Sequence, residues 1–231
     1  MRILLILLIL FIVPDKIIAS DINLLYQSVC KLQTIYIKDG ARVSAGRYSG
    51  TVIGEDDKQF LILTCGHGPD PAPFGSDTYV WFHFNQAKES PILVGKVIWY
   101  KFDREDRQND LGLVILLKSQ FVSSGKRKYP FPKVVNIGSR SPSEGEHVVT
   151  FGYPAEHMFP TAYSLYVRPM HKDLITFAPA PKKGRSGSGI FNNKNELVSV
   201  LVTQNKRSGY GGGVPQGNIV KNLLTQLNKT K

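Results

Sequence analysis

Cysteine is nearly missing from this chain: Cys30 and Cys65 are the only two among 231 residues. Two thiols cannot staple a scaffold of this size, so its core must come from packing. Whether the two pair with each other is left open, because a sequence does not place their Cβ atoms. Acidic residues are also scarce, 18 against 29 lysines and arginines, for a formal net charge of +11. That excess favours anionic partners, among them nucleic acid, polyanionic glycans, acidic proteins and anionic surfaces. The basic residues are scattered, however, with only Lys126-Arg127-Lys128 and Lys182-Lys183 as short clusters. No DNA- or RNA-binding signature accompanies them, so no specific nucleic acid is expected. Histidines and cysteines at metal-ligand spacing are missing too, and no cofactor or metal is implied. His147, His157 and His171 are spread along the chain and read as surface residues.

Long apolar runs are also lacking. The longest lies at the start, Ile3 to Val13 behind Met1-Arg2. It is too short for a membrane helix of about 20 residues, and it fits the apolar core of a secretory leader. Ala19 before Ser20 offers the cleavage point, so residues 1–19 read as a signal peptide and the protein as exported, without a stable membrane span. A membrane anchor that keeps residues 1–19 is the alternative, weakened by Pro14, Asp15 and Lys16.

What is present is a series of short β-rich runs. Asp21 can cap a short helix through Val29 and Cys30. Alternation over Leu32 to Ile37 predicts a strand, a glycine-rich link follows, and then come Gly50 to Gly54 and Phe60 to Thr64, joined by the polar turn Glu55 to Lys58. Further strands are expected at Thr78 to Phe84, Pro91 to Tyr100, Leu111 to Leu117, Val134 to Ile137, Val148 to Tyr153, Tyr163 to Val167, Leu174 to Phe177 and Leu197 to Val202. Regular short strands separated by turn residues indicate an all-β barrel or sandwich. Ile219, Val220, Leu223, Leu224 and Leu227 follow helical spacing and form one apolar stripe at the C-terminus. Asn228-Lys229-Thr230 is an N-glycosylation sequon, usable only on a eukaryotic secretory route.

Three stretches carry chemistry. In Lys183 to Asn192 a serine, Ser186, stands between Gly184 and Gly187 on a tight turn before an apolar strand. Glycines there let the N–H groups of Gly184 and Ser186 converge beside the Ser186 hydroxyl, as an oxyanion hole requires. Thr64-Cys65-Gly66-His67-Gly68 puts a histidine at a strand end. Asp110 opens the apolar run Leu111 to Leu116, where a buried carboxylate needs a partner such as a histidine Nδ1–H. Asp103, Glu105 and Asp106 lie in a polar loop beside Arg104 and Arg107, and all five read as solvated charge.

The order His67, Asp110, Ser186, each at a strand edge, resembles that of the chymotrypsin-like serine proteases, most closely the HtrA (Deg) branch. Thr64 to His67 is similar to the family's T-x-x-H, and Asp110 to Leu113 to its D-[IL]-A-[LV]. Lys183 to Val200 resembles R-G-N-S-G-G-x-[LV]-x-N-x-x-G-E-[LV]-[IV]-G-[IV]. Gly213 to Leu223 resembles the end of the HtrA protease domain, so the resemblance spans about residues 22 to 228. It implies a double β-barrel with short terminal helices: residues 20–125 as the first barrel with His67 and Asp110, 126–217 as the second with Ser186, and 218–231 as a C-terminal helix.

The resemblance further implies a serine endopeptidase acting on proteins or peptides. His67, Asp110 and Ser186 are its triad, and Gly184 and Ser186 form its oxyanion hole. By offset, Ala180 floors the substrate pocket and Val202, Thr203, Gln204 and Gly212 wall it. With no acid at that floor, a small or aliphatic residue is expected before the scissile bond. Arg185 departs from the family pattern, in which trypsins carry Asp and HtrA proteins Asn. It places a cation where it could help or occlude the oxyanion site. A non-catalytic, polyanion-binding member of the fold is the rival reading.

Overall fold

The computed structural model describes residues 18–85, 92–123, 126–155, 157–171, 173–205 and 209–227. Most of the expected leader, residues 1–17, and the sequon at Asn228 fall outside them. Helix α1 spans Ile18–Ser28. It begins before Asp21, because nothing in Ile18-Ala19-Ser20 breaks a helix, and it ends one residue short of Val29. Val29 and Cys30 belong instead to the first strand, β1 (Val29–Lys38). Both are fully buried there, and β-branched Val29 suits a pleated strand better than a helix end.

The first barrel continues with β2 (Ala41–Glu55), β3 (Gln59–Thr64), β4 (Asp77–Trp81), β5 (Leu93–Lys101) and β6 (Leu111–Leu117). The expected glycine-rich link after Gly40 is therefore strand: β2 pairs with β1 from Ala41 onward, with a register shift opposite Thr34 and Ile35. The run toward Phe84 stops at Trp81 and passes into a short 3₁₀ turn at His83–Asn85. A small hairpin, β7 (Val122–Ser123) with β8 (Lys126–Arg127), follows. The stretch expected as a strand at Val134 to Ile137 forms no strand of its own: it meets both barrels, through the Val135 N–H donating to the Val52 carbonyl at 3.1 Å and through the bridge of Ile137 to Leu197.

The second barrel holds β9 (His147–Gly152), β10 (Thr161–His171), β11 (Leu174–Ala178), β12 (Gly189–Phe191), β13 (Leu197–Asn205) and β14 (Tyr210–Pro215). Helix α2 (Gln216–Leu227) closes the described chain. Both barrels are closed, and both use the same order. The first runs β1-β2-β3-β6-β5-β4 and the second β9-β10-β11-β14-β13-β12. Every pairing within them is antiparallel, and closure leaves no free sheet edge. The chymotrypsin-like double barrel is thus present, with a helix at either end.

Alternation sorts side chains to the inside. Leu32, Ile62, Val80, Val97 and Val114 fill the first barrel, and their cluster runs on through Phe151, Val200 and Val214 of the second. Val148, Leu165, Val167, Ile175, Phe177, Ile190 and Val198 form a separate second core. One apolar surface therefore ties the barrels together, and the loops that meet along it are held in register. Cys30 and Cys65 lie in the larger cluster as free thiols. Burial pushes the Cys30 thiol up, beyond any physiological ionisation. Among the described residues no helix is long and apolar enough to cross a membrane.

Candidate active site

His67 leaves β3 on a turn, and Asp110 stands immediately before β6. Because β3 and β6 are neighbours, with Thr64 opposite Gly112, the two residues are brought together. Asp110 is completely buried. One of its oxygens accepts the His67 backbone N–H at 2.9 Å, and the other lies 2.8 Å from His67 Nδ1. The carboxylate that the sequence left in need of a partner thus has two. The bonds fix the imidazole plane and direct Nε2 outward. The His67 side chain keeps 25% of its surface exposed, and the Phe102 ring lies against it with centroids 5.7 Å apart.

Electrostatics favour the protonated ring. Burial works against the imidazolium, but the Cys65 sulfur and Asp110, by hydrogen bond and by charge, outweigh it and push His67 up to about 10. Cys65 sits two residues before the histidine, fully buried beneath it.

Ser186 comes from the second barrel, on the turn between β11 and β12. What brings it to His67 is Ser49 of β2. The Ser49 N–H donates to the Ser186 carbonyl at 2.7 Å, and its hydroxyl donates to the Gly184 carbonyl at 3.3 Å. Thr64, three residues before His67, donates its hydroxyl to the Ser49 carbonyl at 2.6 Å. Ser49 Oγ also accepts the Tyr153 N–H at 3.0 Å. One buried serine, in the stretch expected as a glycine-rich link, thus staples the nucleophile turn to the histidine strand.

The approach is close enough to demand glycine. Gly187 has φ +83°, and a Cβ there would lie 2.1 Å from the Ser49 carbonyl oxygen and 2.3 Å from Thr64 Oγ1. Gly184 has φ +91°, with Ala155 backbone 2.3 Å from where its Cβ would be. Among the described residues neither the Gly184 nor the Ser186 N–H donates to another group, so both are free for an oxyanion. The Ser186 hydroxyl makes no hydrogen bond to His67. In a free enzyme such contacts are often long and tighten when substrate binds.

Arg185 does not occlude this space. It is 1% exposed and turned toward the second barrel. Its Nη1 donates to the Thr150 carbonyl at 3.4 Å, Nη2 donates to Thr161 Oγ1, and the guanidinium lies over the Tyr163 ring at 5.5 Å. Thr161 and Tyr163 share the β10 face of Leu165 and Val167, which line the second core. The cation therefore caps the interior of that barrel. Among the described residues its Nε has no partner, and neither does the neighbouring Ser188 hydroxyl. Burial pulls Arg185 down to about 10, partly offset by Tyr163.

A groove of about 830 Å³ reaches the site through Arg107, the neighbour of Asp110, although neither His67 nor Ser186 lines it. Leu174, Thr176, Thr203, Tyr210, Gly211 and Gly212 line it from the second barrel, and Arg104, Glu105, Arg107 and His171 from its rim. Of the five expected pocket residues it contains Thr203 and Gly212. Val202 is buried, Ala180 does not line the groove, and Gln204 is placed through its backbone pairing with Gly211.

Arg107, expected as solvated charge, is built into the site. Its Nη1 is 3.8 Å from Asp110 Oδ2 and donates to the Val202 carbonyl at 3.3 Å, and its guanidinium lies over Phe102 at 5.3 Å. Its position three residues before Asp110 was the available signal. Asp103 and Glu105 are exposed. Among the described residues no cluster of histidine, cysteine and carboxylate groups is fit to hold a metal.

Residues 48–200 match the family model of the trypsin-like peptidase domain. No curated protein matches the chain in sequence. Among solved structures, the chain is similar to Rv3671c of M. tuberculosis H37Rv, in an inactive form of a serine-to-alanine mutant. The TM-score is 0.62 at 15% identity, over 92% of each chain. An active form of the Rv3671c protease from M. tuberculosis also gives 0.62, at 16% identity over 88% of this chain and 82% of that one. At such identity the likeness carries the fold, and the chemistry rests on the residues of this chain.

Proposed function

The chain belongs to the trypsin-like peptidase family of serine endopeptidases, and on that premise we propose that it cleaves peptide bonds through Ser186, His67 and Asp110. The Ser186 hydroxyl attacks the scissile carbonyl while His67 takes its proton at Nε2. The Gly184 and Ser186 N–H groups stabilise the oxyanion that forms. Collapse expels the amine, which takes the proton back from His67 and leaves an acyl-Ser186. Water then repeats the sequence and frees the acid. Asp110 holds the ring and balances its charge throughout.

The observation that carries this reading is the doubly bonded His67–Asp110 pair facing a serine turn that Ser49 ties to the same barrel. The apolar run behind Arg2 supports export, so the substrates proposed are extracytoplasmic proteins or peptides. The wall formed by Leu174, Thr176, Thr203, Gly211 and Gly212 carries no acid. It favours a small or aliphatic residue before the cleaved bond. A peptide-library digest tests both points. The expected result is turnover lost in Ser186→Ala, with Ala, Val or Leu enriched before the cut. Strong cleavage after Arg or Lys would refute the pocket assignment.

A further inference from the structure

The groove is unequal in charge across its width. Its wall of Leu174, Thr176, Thr203, Tyr210, Gly211 and Gly212 is neutral, whereas the loop between β5 and β6 presents Arg104 and Arg107 against the single acid Glu105. His171, at the end of β10, also lines it. Arg107 cannot swing away, because it is held by the Val202 carbonyl and the Phe102 ring. Its ion pair with Asp110 is long, and that carboxylate is shared with His67, so Arg107 keeps part of its charge for the groove. That carboxylate is wholly buried, bonded twice to His67 at 2.9 and 2.8 Å, and 3.8 Å from Arg107. Arg104 is exposed and makes no ion pair among the described residues. The cations thus face an open cavity that is continuous with the pocket wall of Thr203 and Gly212.

We propose that this groove receives acidic side chains of the substrate, from the residues that precede the one entering the Thr203–Gly212 pocket. The assignment of sides rests on the proposed protease reading, which puts the residue before the cut in that pocket. The cleaved segments are then small or aliphatic at the cut and acidic just ahead of it. A peptide carboxylate there meets a pre-positioned guanidinium, the geometry in which arginine binds carboxylates best. The overall charge of +11 adds long-range steering of the same sign.

The test separates this proposal from catalysis itself. The Ser186→Ala protein is titrated with labelled hexapeptides by fluorescence anisotropy: one neutral, one with Glu at two positions before a central Ala, and one with Glu at two positions after it. Acid before the Ala is expected to tighten binding about fivefold per well-placed charge. The gain should shrink in Arg104→Gln and fade between about 0.02 and 0.5 M salt, as the Debye length contracts. Equal binding of all three peptides overturns the proposal. So does an equal gain from acid on either side, which is surface charge without a groove, and so does a gain that survives Arg104→Gln at full size. If the gain appears as expected while the unmodified protein cleaves nothing, the groove stands and the protease reading falls.

Discussion

The two barrels have the same strand order and contribute opposite kinds of loop to the site. In the first, every polar group beside the chemistry is satisfied: Asp110 carries two bonds from His67, and Thr64 bonds to Ser49. In the second, the turn that carries Ser186 lies next to a buried guanidinium with an orphaned Nε and a buried Ser188 hydroxyl, both without a partner among the described residues. A satisfied buried network specifies one arrangement, and an unsatisfied one costs free energy. The first barrel is therefore the half that holds the base in a satisfied network, and the second holds the nucleophile on a turn anchored both to its own strands, where the Gly187 N–H donates to the Leu201 carbonyl at 2.7 Å, and across the seam to Ser49. Catalysis depends on the seam between them.

The largest effect is expected from the satisfied half. Asp110→Asn keeps the shape of the pair but removes the charge that orients and stabilises the imidazolium. It should lower kcat about 10⁴-fold. It should also move the pH profile. His67 sits raised to about 10 from an ordinary 6.5, so the neutral ring that catalysis needs accumulates only as pH climbs toward that value. The rate should rise across the alkaline range, and Asp110→Asn should shift the rise to lower pH. Stability runs the other way. A folded value above the unfolded one adds stability that is whole below about pH 6.5 and lost as pH passes about 10. Rate and denaturation midpoint measured on the same pH series should cross in opposite senses.

The seam should respond next. Ser49→Ala removes the hydroxyl that serves the Gly184 carbonyl and the Tyr153 N–H. Buried hydrogen bonds of this kind are worth about 1–2 kcal/mol, and urea denaturation should show a loss of that order. If the two halves are as unequal as described, kcat should fall more than KM rises, because the change reaches the oxyanion turn and not the groove.

The smallest effect, and one of opposite sign, comes from the unsatisfied half. Arg185→Met replaces a buried cation that has no acidic partner among the described residues by an apolar chain of similar length, with the loss of its bonds to the Thr150 carbonyl and the Thr161 hydroxyl. Replacing buried ionic groups by apolar ones is often neutral or stabilising, and the free energy of unfolding should stay level or rise by about 1 kcal/mol. A marked loss of stability would mean that the guanidinium organises the turn after all, and the contrast between the barrels would be wrong.

Much of this was legible in the sequence, for reasons that differ by residue. Ser186 stood out because only glycines tolerate the contacts that Gly184 and Gly187 make. Asp110 stood out because a carboxylate at the head of Leu111 to Leu116 has no cheap place to go. Strands with alternating apolar residues, such as β3 and β6, were also recognisable.

What escaped depends on partners distant in the chain. β14 begins Tyr210-Gly211-Gly212-Gly213 and has almost no intrinsic strand preference. It is strand because β11 and β13 flank it. Val134 to Ile137 has the residues of a strand, but among the described residues it forms one bridge, to Leu197, and a backbone bond from Val135 to Val52 in place of a ladder. Ser49 and Arg107 are ordinary residues in polar or mixed stretches. Their roles come from a carbonyl, a ring and a carboxylate that the fold delivers to them.

The central claim is that Ser186 is a nucleophile activated by His67 across the barrel seam. The most direct test is reaction with a fluorophosphonate probe at mildly alkaline pH, with the modified residue located by mass spectrometry. The account predicts a single adduct on Ser186, absent in Ser186→Ala and slowed at least about 10³-fold in His67→Ala. An adduct on Ser188, or labelling of Ser186 that is indifferent to His67, would contradict it.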